Sequence, residues 1–195
     1  METTDSLIRQ QIKYYQARAS EYDEWFLRRG RYDRGPEWNA QWFGEIEIVR
    51  RALVEFKPAG RILELACGTG LWTQHLLPHA EHITAVDVVP EVLRLNQQRL
   101  QSSKVTYVQS DIFTWKSAEL FDVIFFSFWL SHVPHSHFEP FWEMLSRSVK
   151  TGGRVFFIDS MYEPTSTAQD HHLEAPETGT VLRKLNNGQE FRIIK

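Results

Sequence analysis

Cysteine is nearly absent: Cys67 is the single one in 195 residues, which excludes an internal disulfide and a multi-cysteine zinc site. Excess positive charge is absent too. With 22 Lys plus Arg against 25 Asp plus Glu the net charge is -3, so the composition carries no footprint for a polyanion, and no nucleic-acid partner is expected. Long apolar runs are missing. The densest one, Phe121 to Val133, is interrupted by Asp122, Ser127, Ser131 and His132 and is too short and polar to span a bilayer. The opening METTDSLIRQ lacks the basic start and apolar stretch of a secretory signal. The expectation is a cytoplasmic protein with no membrane partner. What remains, 42% apolar and 24% charged residues, is the profile of one compact domain, with no internal repeat and no low-complexity tract.

Three stretches divide the chain. Residues 1–57 read as a helical cover: Leu7, Ile8, Ile12, Tyr15, Tyr22, Trp25 and Phe26 recur at three- and four-residue steps, as do Ile46, Val49, Leu53 and Phe56 after Gly44. Between them Arg28 to Pro36 holds four arginines and a Gly-Pro pair and predicts a loop. Residues 58–160 alternate short buried runs with helical stretches. Strands are predicted at Arg61 to Ala66, His82 to Asp87, Val105 to Gln109, Phe121 to Phe126 and Arg154 to Asp159, and helices at Leu71 to Leu77, from Pro90, and at Ser136 to Val149. Near-continuous apolar strands alternating with helices mean an α/β fold with a doubly wound, mostly parallel, Rossmann-like sheet covered on both faces. Residues 161–195 read as a long loop, Glu163 to Thr180, and a hairpin, Val181 to Leu185 with Glu190 to Ile194, turned by Asn186-Asn187-Gly188.

The first strand runs into Ala66-Cys67-Gly68-Thr69-Gly70 and then a helix. Glycines there let a ligand approach the backbone and the amides of the helix start. A dinucleotide fingerprint would place its third glycine at position 73, which is Thr73. Acids recur at the carboxyl ends of successive strands: Glu64, Asp87 and Asp111. In an open parallel sheet those ends converge on one crevice. With no Lys or Arg in the glycine turn, the favoured ligand is a nucleoside with hydroxyls and a positive charge. Asp87 would accept from ribose hydroxyls, Asp111 or its backbone neighbours would take an adenine amino group, and Gly68 and Gly70 would admit an amino-acid tail. That describes S-adenosyl-L-methionine.

Over residues 60–160 the chain resembles the class I S-adenosylmethionine-dependent methyltransferases. The resemblance rests on Glu64-Leu65-Ala66-Cys67-Gly68-Thr69-Gly70, on Asp87, on Ser110-Asp111-Ile112 and on Phe121-Asp122-Val123-Ile124. Tyr14-Tyr15 and Tyr22-Asp23 look like the tyrosine-bearing cover helices of small-molecule members. The resemblance implies cofactor contacts from Tyr15, Tyr22, Glu64, Ala66, Gly68, Gly70, Asp87, Val88, Asp111, Ile112 and Phe126, and methyl transfer to a small-molecule acceptor, most plausibly at oxygen. If the acceptor must lose a proton, His132 after the fourth strand is the leading base. The family's sheet usually continues beyond five strands, so the expectation is either a truncated form or an exposed fifth strand covered by self-association into a homo-oligomer, with the hairpin as one means.

Plainer readings stand beside these. His132, His135 and His137 form a His-x-x-His-x-His run, but Pro134 and the helix start oppose convergence on a metal. Cys67 suits packing under the turn better than nucleophilic attack. Trp25, Phe26, Trp38, Trp42 and Phe43 are either core or an aromatic lid, and Arg28, Arg29, Arg31 and Arg34 either a solvated loop or a seat for an acidic substrate group. A nicotinamide-dependent oxidoreductase and a non-catalytic nucleoside-binding module remain as alternatives.

Overall fold

A computed structural model describes residues 3–117, 119–160, 167–168, 172–173 and 179–194. The cover begins with α1 (Thr4–Ala17), whose first turn is capped by Thr3, and α2 (Tyr22–Phe26). A long α3 (Pro36–Phe56) starts on Pro36, where a missing N–H costs nothing, and stops at Lys57 before Pro58. The core then runs β1 (Gly60–Leu65), α4 (Thr73–Leu76), β2 (Ala80–Asp87), α5 (Pro90–Leu100), β3 (Val105–Gln109), β4 (Phe121–Ser127), α6 (His135–Ser148) and β5 (Val149–Ile158). Two expectations shift. The helix after the glycine turn is a single turn, since Gly70 is taken by the bend and Pro78 follows closely. The fifth strand begins earlier, at Val149, because Lys150–Gly153 bulge out of register between the pairs Phe121 with Val149 and Val123 with Arg154.

The five strands pair in parallel in the order β3-β2-β1-β4-β5. Chain order reverses at β1, so a crevice opens at the carboxyl ends of β1 and β4. Side chains alternate across the sheet. Ile62, Ile83, Ala85, Val123 and Phe125 pack on one face with Leu53, Trp72 and Leu76, while Leu63, Leu65, Val86, Ile124 and Phe126 pack on the other with Phe141 and Leu145 of α6. This parity corrects one expectation: Phe126 is buried against Phe141 and Trp142, with its ring outside the crevice.

The hairpin forms as β7 (Thr180–Lys184) and β8 (Glu190–Ile194), joined by a two-residue β6 (His172–Leu173) inside the stretch expected as loop; the rest of that loop lies outside the described residues, apart from 167–168 and 179. It makes a separate antiparallel sheet and does not cover the edge of β5. Instead Val181, Leu185 and Ile193 bury Tyr14 of α1. The hairpin is apolar on the face that α1 needs covered. Among the described residues the outer edge of β5 pairs with no other strand, and Phe157 on it is exposed.

Candidate active site

The crevice is partly open and spans about 680 Å³ of space not filled by protein atoms, open solvent at its mouth included. Its floor is Ala66 after β1, Asp87 and Val88 at the end of β2, and Asp111 and Ile112 after β3. Ser127, Phe128 and Trp129 after β4 form one wall, and Ile8, Gln11, Ile12 and Tyr15 of α1, with Tyr22 of α2, form the roof. Ile8, Ile12 and Tyr15 belong to the apolar stripe of α1. All three line the cavity, and Tyr15 also packs against Tyr14 and the Val89 cluster. Ala66 and Phe128 both have left-handed backbones, with φ of 50° and 53°. Such strain in non-glycine residues is held only where the surroundings over-determine it. For Phe128 these are the N–H bond to the Ile158 carbonyl at 2.7 Å and edge contact with Trp25 at 4.8 Å.

The three acids do not share one environment. Asp87 accepts the Gly68 N–H at 2.9 Å through Oδ2 and the Val89 N–H at 3.0 Å through Oδ1. Burial nevertheless pushes its carboxyl up to about 6. Asp111 faces the cavity while its Oδ1 accepts the Phe113 N–H at 2.9 Å. Glu64 corrects the expectation of three converging carboxylates. It shares the face of Ile62, so it points under α4, is 1% exposed and lies outside the cavity lining. Burial raises its carboxyl to about 8, with a bond to Thr73 opposing and the charge of Asp87 adding to the rise. Glu64 packs beneath α4, where burial favours its uncharged form.

Gly68 and Gly70 also differ. A Cβ on Gly68 would stand 3.1 Å from the Tyr22 hydroxyl oxygen, so this turn lies against the roof. A Cβ on Gly70, at φ of 89°, would stand 2.5 Å from Asn96 Oδ1, which makes its demand one of packing against α5. Asn96 donates to the Gly68 carbonyl at 3.3 Å and Thr73 Oγ1 at 3.0 Å, bracing the turn from below. Above it, Asp23 pairs with Arg99 and accepts from Thr69 Oγ1, while Arg99 donates to the Thr69 carbonyl at 2.7 Å. Cys67 is buried, and burial raises its thiol well above the ordinary value. It is a packing residue.

His132 is buried outside the cavity lining. Its Nδ1 lies 2.7 Å from the Ile194 carbonyl, which can only accept, so Nδ1 carries a proton, and in the neutral form of the ring Nε2, 3.1 Å from the Tyr15 hydroxyl, is the acceptor. Gln11 completes the network, donating to the His132 carbonyl at 3.3 Å and accepting the Ile194 N–H at 3.2 Å. His132 therefore meets the cavity through Tyr15. His137 packs on Phe113, and among the described residues no group of three His, Cys, Asp or Glu side chains could hold a metal ion. Three of the four loop arginines are engaged elsewhere, since Arg28 stacks on Trp42, Arg31 pairs with Glu21 and Arg34 donates to the Thr167 carbonyl, while Arg29 is exposed. No helix among the described residues is long and apolar enough to cross a membrane.

A family model described as a methyltransferase domain matches residues 62–153. The structure is similar to that of DhpI in complex with SAH, at 34% identity and a TM-score of 0.76, over 99% of this chain and 81% of DhpI. The chain belongs to the class I S-adenosylmethionine-dependent methyltransferases. Membership makes S-adenosylmethionine the cofactor. A DhpI complex with SAM and HEP gives 36% identity and a TM-score of 0.76 over 99% of this chain and 83% of that one. Nodulation protein S of Rhizobium tropici is 37% identical over 68 residues, 34% of this methyltransferase-family chain and 29% of that protein. A malonyl-acyl-carrier-protein O-methyltransferase of a Paenibacillus strain is 34% identical over 111 residues, 50% of the chain and 37% of that enzyme. The chain thus spans about a third of the length of these curated relatives.

Of the residues singled out in the sequence of this family member, Tyr15, Tyr22, Ala66, Asp87, Val88, Asp111 and Ile112 line the cavity. Glu64, Gly68, Gly70, Phe126 and His132 are outside its lining. Sequence reasoning missed Gln11, the Ser127-Phe128-Trp129 wall and the Asp23–Arg99 brace. The wall follows directly on the fourth strand, the position from which His132 was chosen. The brace joins residues 76 apart, and no local pattern marks it.

Proposed function

We propose that the chain transfers the methyl group of S-adenosylmethionine to an oxygen of a small-molecule acceptor. The observation that carries this reading is the roofed cavity at the strand ends, with Asp87 and Asp111 on its floor and tyrosines above. The donor set fits the cofactor. Each Asp87 oxygen already accepts one backbone N–H and keeps a lone pair for a ribose hydroxyl, as an ionised carboxylate can. Asp111 and the backbone near Ile112 can accept from the adenine amino group. The Gly68 turn, with the Tyr22 hydroxyl against it, leaves the chain's amides near the amino-acid end.

When bound, the cofactor supplies an activated methyl group on a sulfonium. The residues of the chain then align the acceptor, exclude water and handle its proton. Phe128 and Trp129 with α1 enclose the site. Tyr15 and His132 form a two-step proton path: the acceptor O–H gives its proton to the Tyr15 oxygen as the Tyr15 proton passes to His132 Nε2. The Ile194 carbonyl stabilises the resulting imidazolium through Nδ1–H. The Paenibacillus relative, named an O-methyltransferase, supports oxygen as the receiving atom. A cytoplasmic setting and the absence of a nucleic-acid substrate are part of the same proposal, the second supported by the net charge of -3.

Incubation with methyl-labelled S-adenosylmethionine and a panel of small alcohols, acids and amines tests the proposal. Labelled ethers or esters are expected. Tyr15→Phe should lower kcat at least tenfold and leave SAH affinity within about twofold, the size of a general-base contribution. Labelled amines alone would refute the oxygen assignment. SAH binding without transfer to any acceptor would favour a binding module, and NADH binding in place of SAH an oxidoreductase.

A further inference from the structure

The turn that carries His132 is held from outside the cavity, by Asp159 at the tip of β5. Its Oδ2 accepts the Ser131 N–H at 2.7 Å, and its Oδ1 accepts the Ser131 hydroxyl at 3.1 Å and the Ser160 N–H at 2.8 Å. Ser131 is the middle residue of a single 3₁₀ turn, Leu130–His132, in which the His132 N–H bonds the Trp129 carbonyl at 2.8 Å. Trp129, which opens the turn, gives it no side-chain cap. The end of β5 grips the same loop a second time, since the Ile158 carbonyl takes the Phe128 N–H at 2.7 Å. The loop is therefore fixed on both sides of Trp129 by residues that do not themselves line the cavity.

This double hold answers a strain and a distance. Phe128 leaves β4 with a left-handed backbone, which a non-glycine residue keeps only with support from its surroundings. Four residues on, His132 must meet two partners from opposite ends of the chain, the Ile194 carbonyl at 2.7 Å and the Tyr15 hydroxyl at 3.1 Å. Hydrogen bonds weaken steeply with misalignment, so a turn free to rock would not keep both. A carboxylate suits the task. Its two oxygens have room for all three donors, and its bonds are shorter and stronger than those to a neutral acceptor. An amide in its place fails in either orientation, because its NH2 then faces the N–H of Ser131 or that of Ser160.

We propose that Asp159 is a positioning residue of the methyltransferase site, which acts through Ser131 to hold the Leu130–His132 turn and so keeps His132 Nε2 within reach of the Tyr15 hydroxyl. The proposal rests on the methyl-transfer reading and deepens it, by adding to Tyr15 and His132 a third residue that never touches the acceptor. Loss of its hold slows proton handling and leaves the cofactor's seat on Asp87 and Asp111 unchanged.

Asp159→Asn and Ser131→Ala in the intact chain test it through two readouts. The first needs no acceptor: long-range nitrogen–proton correlation spectra of the imidazoles, with His132 identified by its absence in His132→Gln. The wild type should show a slowly exchanging Nδ1–H on His132. Asp159→Asn should speed that exchange at least tenfold while the β1 amides and SAH affinity stay within about twofold, the mark of a local opening. The second readout is transfer of labelled methyl to an acceptor found in the panel. Asp159→Asn should lower kcat at least tenfold in the wild-type background and less than about threefold on Tyr15→Phe, because both substitutions break one path. Ser131→Ala, which keeps the backbone bond, should give about a threefold effect in each readout and none on Tyr15→Phe, and it decides the matter if Asp159→Asn does not fold. Equal losses of kcat in both backgrounds, an unchanged His132 signal, or exchange that rises no faster than at the β1 amides would each make Asp159 a general support of the fold and overturn the proposal. A wild type that moves no methyl group while Asp159→Asn still frees the His132 ring would instead remove the methyl-transfer reading and uphold the grip of Asp159 on His132.

Discussion

Affinity for the spent cofactor should fall steeply as pH drops below about 6, through Asp87. Burial raises this carboxyl, so the free fold favours the protonated form below that value, against an unperturbed 3.8. Ribose hydroxyls that donate to it favour the ionised form. Binding therefore releases a proton in the acid range, and affinity rises with pH. At pH 5 only about one molecule in eleven has Asp87 ionised, which predicts an affinity about tenfold below the plateau at pH 7.5, or about 1.4 kcal/mol. Glu64 keeps its proton up to about 8, so of these two acids only Asp87 titrates in the acid half of the range, below about pH 7. Asp87→Asn keeps the shape but loses the charge. Its amide also turns a donor toward either the Gly68 or the Val89 N–H. Loss of charge-assisted bonds of about 1.5–3 kcal/mol should weaken SAH by about 10- to 150-fold at pH 7.5 and flatten the profile. Titration calorimetry with SAH in half-unit steps from pH 5 to 8 measures both. A flat wild-type profile, or one that Asp87→Asn reproduces, would refute the ribose role.

Glu64 gives a stability prediction of definite sign. The unfolded chain loses this proton near 4.5 and the folded protein keeps it to about 8, so the stabilising contribution is complete below 4.5 and drains away as pH rises to 8. Glu64→Gln should melt near the wild-type temperature at pH 5 and several degrees above it at pH 8.5; a constant gap would mean that Glu64 is charged in the fold. Gly70→Ala should cost about 2–4 kcal/mol in denaturant unfolding, because it combines a left-handed backbone with displacement of the bonded Asn96 amide. A variant of native stability that merely binds SAH poorly would return Gly70 to a ligand role. His132→Ala should cost about 2 kcal/mol or more, since the Ile194 carbonyl and Tyr15 hydroxyl both lose a buried partner; wild-type unfolding would dismiss the network.

The sheet was legible because buried parallel strands are continuous apolar runs, and because Pro36 and Pro90 stand where helices tolerate them. The floor of the site was legible for a related reason: strand ends in this topology meet at one place, and Asp87 and Asp111 occupy them. Face parity was the weak point. Glu64 and Phe126 lie on strands that carry the site, but alternation turns both into packed layers, and parity alone does not say which layer faces a ligand. The remaining gaps are non-local. His132 is oriented by Ile194, 62 residues away, and Gln11 reaches the same residue across 183. The hairpin was visible through Asn-Gly, but its partner was not, since an apolar strand face suits α1 as well as a sheet edge.

The Gln11–His132–Ile194–Tyr15 network also bears on timing. The helical roof over the strand tips is latched to a strand and a loop drawn from distant parts of the chain. Were a nucleoside to enter and leave by lifting of that roof, it would have to break these bonds in concert, and the door would act as a single switch with few half-open states. Departure of the used donor, more than the chemical displacement, would then pace each cycle, and a first turnover faster than the later ones is its signature.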